Sequence, residues 1–126
     1  MIVYASRTGN VRYIVSKLQA ESIELTETLK VDKPYLLLTY TDRLGEVPAK
    51  VAQFLQANGQ LCKGVVVSGN SNFGHSFFGG AGDKIAKAYQ IPLVRKLELR
   101  GFQADYDAIQ QFYETRVKNE NLLTIK

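Results

Sequence analysis

With 126 residues, 45% of them apolar, the chain suits one domain with one sizeable core and is too hydrophobic to stay disordered. No run approaches the roughly 20 apolar residues of a membrane helix, and no basic segment precedes the strand that opens the sequence, so neither a span nor a leader is expected and the cytoplasm is the default. One cysteine, Cys62, excludes an intramolecular disulfide or a CxxC site; a net charge of +4 suits an anionic ligand or an acidic partner, but the cations are interleaved with Glu and Asp and form no nucleic-acid motif.

Ile2, Val3, Tyr4 and Ala5 form a short apolar run that reads as a buried strand. It breaks into a small polar loop, Ser6-Arg7-Thr8-Gly9-Asn10. Val11, Ile14, Val15 and Leu18 then recur at helical spacing, and this helix is expected to end near residues 18–20. A strand, a polar loop and a helix start make a geometry that binds phosphate. The first turn of a helix has free N–H groups, Ser6, Thr8 and Asn10 add side-chain donors, and Gly9 lets the backbone approach closely. The same residues are equally an N-cap with no ligand.

Ser22, Ile23, Glu24 and Leu25 alternate in polarity, as in a half-buried strand. Residues 26–33 are polar and show no helical face, and Pro34 holds Lys33 extended. Tyr35, Leu36, Leu37, Leu38 and Thr39 are apolar on both faces, the pattern of a central parallel strand. A second polar loop follows over residues 40–46. Pro48 opens a helix with Val51, Phe54 and Leu55 on its buried face, and Asn58-Gly59 stops it.

Gly64, Val65, Val66, Val67 and Ser68 form the next buried strand, which breaks into a third polar loop, residues 69–74. A helix over residues 80–89 is expected to bury Ala81, Ile85, Ala88 and Tyr89. Residues 93–99 read as an edge strand. Gly101-Phe102 turns the chain, and Asp105 or Asp107 caps a last helix that buries Ile109, Phe112, Tyr113 and Val117. The tail from Asn119 is expected to fray.

Strands alternating with helices imply an α/β three-layer sandwich. Five parallel strands in the order 2-1-3-4-5 give a single flavodoxin-like doubly wound domain over residues 1–126. The link between the second and third strands is too short for the usual crossover, so the second unit is abbreviated. Ligands of such sheets bind beyond the carboxyl ends of the strands, where the three polar loops converge. Tyr40, Leu44 and Phe73 then sit beside glycines, where a flat aromatic ring fits between two loops.

The chain resembles the NrdI family, flavodoxin-like FMN proteins that activate class Ib ribonucleotide reductase. The carriers are Ser6-Arg7-Thr8-Gly9-Asn10-Val11, Leu38-Thr39-Tyr40-Thr41 with Gly45 and Val47-Pro48, and Gly69-Asn70-Ser71-Asn72-Phe73-Gly74. By that resemblance Ser6, Thr8, Gly9, Asn10 and Val11 hold the FMN phosphate, with Arg7 close by. Thr39, Tyr40, Thr41, Leu44 and Gly45 border one side of the isoalloxazine, and Gly69, Asn70, Asn72, Phe73 and Gly74 the other.

Gly45 is the candidate for a peptide that turns with the redox state. The segment Asp42-Arg43-Leu44-Gly45-Glu46 is more charged than the glycine- and threonine-rich version common in the family. The resemblance further implies an upstream flavin reductant and reduction of dioxygen at FMN. Superoxide or a peroxide is then delivered to the dimanganese small subunit of the reductase, where a tyrosyl radical forms. The cofactor carries the chemistry, and no side chain need act as acid or base.

Other residues have plainer readings. His75 stands in a loop without a metal-binding cluster. Cys62 reads as a buried thiol without a redox role, Phe77 and Phe78 as core or, alternatively, an exposed partner contact, and Asp83 and Glu98 as solvated charges. A general flavodoxin electron carrier is the alternative function. A response-regulator-like module would need acidic residues where Ala5-Ser6 stands.

Overall fold

The computed structural model describes residues 1–74 and 77–118. Strands β1 (Ile2–Tyr4), β2 (Ser22–Glu24), β3 (Tyr35–Tyr40), β4 (Cys62–Gly69) and β5 (Leu93–Glu98) form one sheet in the order β2-β1-β3-β4-β5, with every pairing parallel. Helices α1 (Asn10–Ser16), α2 (Ala49–Asn58), α3 (Gly80–Tyr89) and α4 (Gln103–Phe112) follow β1, β3, β4 and β5, and α4 runs on as a π-helical segment, Tyr113–Lys118. This is the expected topology.

The central strands are apolar at successive positions because both faces of the sheet are covered. Ile2, Leu36, Leu38 and Val66 pack with Val11 and Ile14 of α1 and Tyr106 and Ile109 of α4. Val3, Leu37 and Val65 face the other way, against Val51, Phe54 and Leu55 of α2 and Ile85 of α3. Tyr35 and Phe54 meet edge to face, 5.6 Å between centroids. The thiol of Cys62 is buried in this second layer, donates to Gly64 O at 3.3 Å, and is pushed up by burial to a pKa of about 11.

Residues 25–34 contain no helix, as their sequence implies. The buried side chain of Asn58, at the end of α2, holds this connection. Its Oδ1 accepts the Val31 N–H (3.0 Å), and its Nδ2 donates to Leu29 O and Phe54 O (both 3.0 Å). The hydroxyl of Tyr35 donates to Asn58 O (2.9 Å). One amide thus satisfies backbone groups that a crossover helix would have satisfied within itself. Ile23 on β2, with no helix above it, remains exposed.

Several local expectations are corrected. Helix α1 ends at Ser16, because Lys17 and Leu18 N–H bond three residues back, to Ile14 O and Val15 O. Ala88 of α3 is exposed, and Gly82 is buried in its stead. A Cβ on Gly82 would lie 2.7 Å from Val67 Cγ1, so glycine lets the helix approach the sheet and rotates its buried face. Pro48 is the N-cap of α2 and not within its first turn; its carbonyl accepts the Val51 and Ala52 N–H groups.

Neither aspartate is the N-cap of α4; that residue is Phe102. Asp105, at the third helical position, accepts the Phe102 N–H (2.8 Å), and Asp107 accepts from Gln103 (2.9 Å). The tail from Asn119 lies outside the described residues.

Asn58→Ala leaves Val31 N–H and Leu29 O without their partner, so stability should fall by about 2 kcal/mol. Gln56→Ala, on the exposed side of the same helix, should change it by less than about 0.5 kcal/mol. Equal urea midpoints for the two variants would mean that the amide does not hold the connection.

Candidate functional site

The carboxyl ends of the strands open on a cavity of about 280 Å³. Among the described residues it is lined by Arg7, Thr8, Asn10, Tyr40, Thr41, Arg43, Ser68, Gly69, Asn70, Phe77 and Leu99. Its size is at the lower edge of the ~300–1,000 Å³ range of small-molecule sites. The loops after β1, β3 and β4 all contribute, as their position in the topology requires.

In the first loop Gly9 adopts φ 94, and a Cβ built there would have no neighbour within 4 Å. Glycine is needed here for its backbone angle, and the space beside it is open to a ligand. The buried Ser6 accepts the Arg12 N–H at Oγ (3.3 Å) and so caps α1. The side chain of Val11 is in the core, which leaves only its backbone for a ligand. Arg7 reaches across to the second loop. Its guanidinium pairs with Asp42 (2.8 Å) and lies over the Tyr40 ring (5.1 Å to the centroid). Both partners are partly solvated, so the ion pair is worth roughly 0.2–1 kcal/mol and chiefly positions the two loops.

At the end of β3 Thr39 is fully buried and donates to Tyr40 O (2.9 Å), so it supports the second loop and does not line the cavity. The phenol of Tyr40 titrates above its ordinary value, first through desolvation and then through the charge of Asp42, with Arg7 opposing. Thr41 Oγ1 is buried and has no hydrogen-bond partner among the described residues. Beyond it the chain folds back on itself: Asp42 and Glu46 exchange two backbone hydrogen bonds, each 2.8 Å.

The enclosed turn holds Arg43 at φ 42 and Gly45 at φ 86. Gly45 is buried against Phe77 and Gly80, and a Cβ on Gly80 would come 2.8 Å from Gly45 Cα. Neither Gly45 nor Leu44, which is 56% exposed, lines the cavity.

In the third loop Asn70 Oδ1 accepts the Asn72 N–H (2.9 Å) and starts the 3-10 turn Ser71–Phe73; Gly74 follows at φ 102. Gly69 and Asn70 line the cavity, whereas Asn72 and Gly74 shape the turn. His75 lies outside the described residues. Asp83 is exposed, as expected of a solvated charge, and Glu98 is half-buried; both also have partners. Glu98 accepts the Ser71 N–H and hydroxyl (both 3.0 Å), and Asp83 pairs with Lys96 (2.7 Å). Lys96 also donates to Phe78 O (3.0 Å), so β5 holds the third loop at Ser71 and the chain just before α3 at Phe78. Of the two readings of Phe77, core does not hold: it is 40% exposed and lines the cavity.

Sequence reading missed Ser68, Leu99 and Arg43 as lining residues, and Arg100 beside them. Ser68 was visible only as the end of a strand. Leu99 adopts φ 54, rare for a bulky residue. Its N–H donates to Gly69 O (2.8 Å) and its carbonyl accepts the Ser68 hydroxyl. Nothing in a leucine announces such a conformation.

A largely apolar cavity with cations at its rim and aromatic rings in its wall suits a planar anionic ligand. FMN fits on two counts: the unpartnered Thr41 hydroxyl and the open space beside Gly9. Among the described residues no group of three or more His, Cys, Asp or Glu side chains is placed to hold a metal, and no helix is long and apolar enough to cross a membrane.

The model of the NrdI flavodoxin-like family matches residues 2–111. Protein NrdI of Deinococcus radiodurans is 42% identical over 116 residues, covering 88% of this chain and 80% of that protein. Protein NrdI of Bacillus licheniformis is 40% identical over 114 residues, covering 90% and 86%. Among solved structures, a short-chain flavodoxin associated with a PDU bacterial microcompartment superposes with a TM-score of 0.68 at 21% identity, over 94% of this chain and 95% of that one. Fusobacterium nucleatum flavodoxin bound to flavin mononucleotide does so with a TM-score of 0.59 at 16% identity, over 95% and 96%. These two structures share the fold.

Thr41→Val removes a buried hydroxyl that has no partner, so the ligand-free protein should gain about 1 kcal/mol in urea unfolding. A loss of similar size would show that the hydroxyl is bonded within the protein.

Proposed function

The chain belongs to the NrdI flavodoxin-like family, and from that membership we propose that it binds FMN, reduces dioxygen in the cytoplasm and delivers the oxidant to the dimanganese small subunit of class Ib ribonucleotide reductase. The observation that carries this reading is the cavity at the strand ends, where Thr41 presents an unpartnered hydroxyl between a glycine-bearing loop and an aromatic wall.

The residues divide the work. Thr8, Asn10 and the backbone of residues 8–11 bind the phosphate, and Ser6 keeps that loop in shape by capping α1. Tyr40, Thr41, Gly69, Asn70 and Phe77 enclose the ring system, with Thr41 Oγ1 free to bond it. When bound, FMN supplies electron storage and transfer to dioxygen. The chain supplies orientation and charge. Arg7 and Arg43 line the cavity, and a net charge of +4 favours an anionic ring and holds an anionic oxidant near the surface. Asp42 partly offsets Arg7, which moderates that field.

The mouth of the cavity suits a protein partner. Phe77 and Leu99, which line the cavity, are 40% and 42% exposed, and Leu44 on the second loop is 56% exposed. An apolar rim of this kind around charged groups is the composition of an interaction site. A partner seated on it covers the route by which an oxidant would otherwise diffuse away.

The test of the activity is direct. Reduced, FMN-loaded protein is mixed with the Mn(II)-loaded class Ib small subunit and dioxygen, and tyrosyl radical is measured by electron paramagnetic resonance. Radical formation that depends on the flavoprotein is expected. No radical, with efficient electron transfer to an unrelated oxidoreductase, would replace this reading with a general flavodoxin carrier. The phosphate end is tested by Thr8→Ala. Loss of a hydrogen bond to a charged group costs about 1.5–3 kcal/mol, or roughly ten- to a hundredfold in FMN affinity, whereas riboflavin should be nearly insensitive. Equal losses for both ligands would show that the loop does not hold the phosphate.

A further inference from the structure

The turn between β5 and α4 brings a cation to the first loop from 90 residues away. Arg100 Nε donates to Asn10 Oδ1 at 3.3 Å, and the guanidinium lies over the Tyr13 ring, 4.6 Å from its centroid. The turn itself is fixed from several sides. Leu99 N–H donates to Gly69 O (2.8 Å), Gly101 N–H to Glu98 O (2.9 Å), and the Tyr106 hydroxyl to Arg100 O (2.6 Å). Leu99 is held at φ 54 by these bonds, and such a conformation persists only where the surroundings over-determine it. The backbone at Arg100 is therefore set in place by the protein alone.

Two consequences follow from elementary chemistry. An arginine Nε can only donate, so Asn10 must give Arg100 its oxygen and keep its amide N–H groups for something else. Asn10 lines the cavity beside Thr8, and this fixes it there as a donor. The second consequence is charge. Arg7 is paired with Asp42 and Arg12 with Glu24 (2.9 Å), so carboxylates offset both. Among the described residues Arg100 makes no ion pair, and its charge beside the first loop is not offset in that way.

We propose that Arg100 is a specificity-determining residue: by fixing Asn10 as a donor and setting a positive charge at the phosphate end of the cavity, it selects the phosphorylated flavin over riboflavin. It acts through Asn10 and through its field, as a positioning residue. The proposal rests on the reading of the cavity as an FMN site.

Arg100→Met keeps an unbranched stem over Tyr13 and removes the donor and the charge; Arg100→Lys restores the charge alone. Arg100 is exposed, so neither change disturbs the core. Each apoprotein is titrated with FMN and with riboflavin, following flavin fluorescence at low and raised ionic strength. Arg100→Met should weaken FMN about three- to tenfold and change riboflavin less than about twofold. Arg100→Lys should recover part of the loss, and salt should narrow the gap between wild type and Arg100→Met. An unchanged FMN-to-riboflavin ratio in Arg100→Met, or an equal fall for both ligands, overturns the proposal. A wild-type protein that binds riboflavin as tightly as FMN instead overturns the assignment of the phosphate end, whatever the Arg100 variants do.

Discussion

The cavity exists because β1 and β3 are paired neighbours whose chains leave the sheet on opposite faces. After β1 the chain turns to α1, which packs with α4 on one side; after β3 it turns to α2, which packs with α3 on the other. Two loops that part in this way leave a cleft at the strand ends that neither can fill. The pairing is secured by burial. Ile2 and Leu36 lie together in one layer, and Val3 and Leu37 in the other, all four at most 1% exposed. A slip of one residue would exchange those layers, so the hydrophobic pattern that makes the core also fixes which loops face each other.

Given that cleft, the remaining structure keeps its walls still. The second loop is locked by its own two hydrogen bonds between Asp42 and Glu46 and by the close approach of Gly45 to Gly80. The third is held from β5 at Ser71 by Glu98, and Lys96 holds Phe78 just before α3. The turn after β5 is tied to β4 through Ser68 and Gly69. Arg43 and Leu99, neither of them glycine, both carry positive φ at the cavity. A third such residue, Gln90, ends α3 away from the cavity, whereas strain at Arg43 and Leu99, both lining it, accords with a site shaped for a ligand. The unpartnered Thr41 hydroxyl belongs to the same pattern, because a buried donor without a partner costs stability that only a ligand would return.

The parts of this arrangement that were legible in the sequence are those set by local pattern. Leu36, Leu37 and Leu38 declared a strand buried on both faces, the polar segments after three strands marked the site, and the featureless residues 26–33 gave the missing helix. The parts that were not legible depend on residues far apart in the chain. Asn58 reads as a helix stop, yet it is the amide that replaces a helix. The face of α3 was misjudged at Ala88 because Gly82 admits the sheet so closely. Phe77 resembles any core phenylalanine, and only the position of the third loop turns it toward the cavity. Arg7 and Asp42, or Arg100 and Asn10, become partners only once the strand order is known.

The central claim is that this cleft binds one FMN. The most direct measurement is the identity and amount of flavin held by the folded protein, purified or reconstituted with FMN. It is read by absorbance and by mass analysis of the released nucleotide. One FMN per chain is the expected result. Release of FAD, or no bound flavin after reconstitution of the folded chain, would contradict the account.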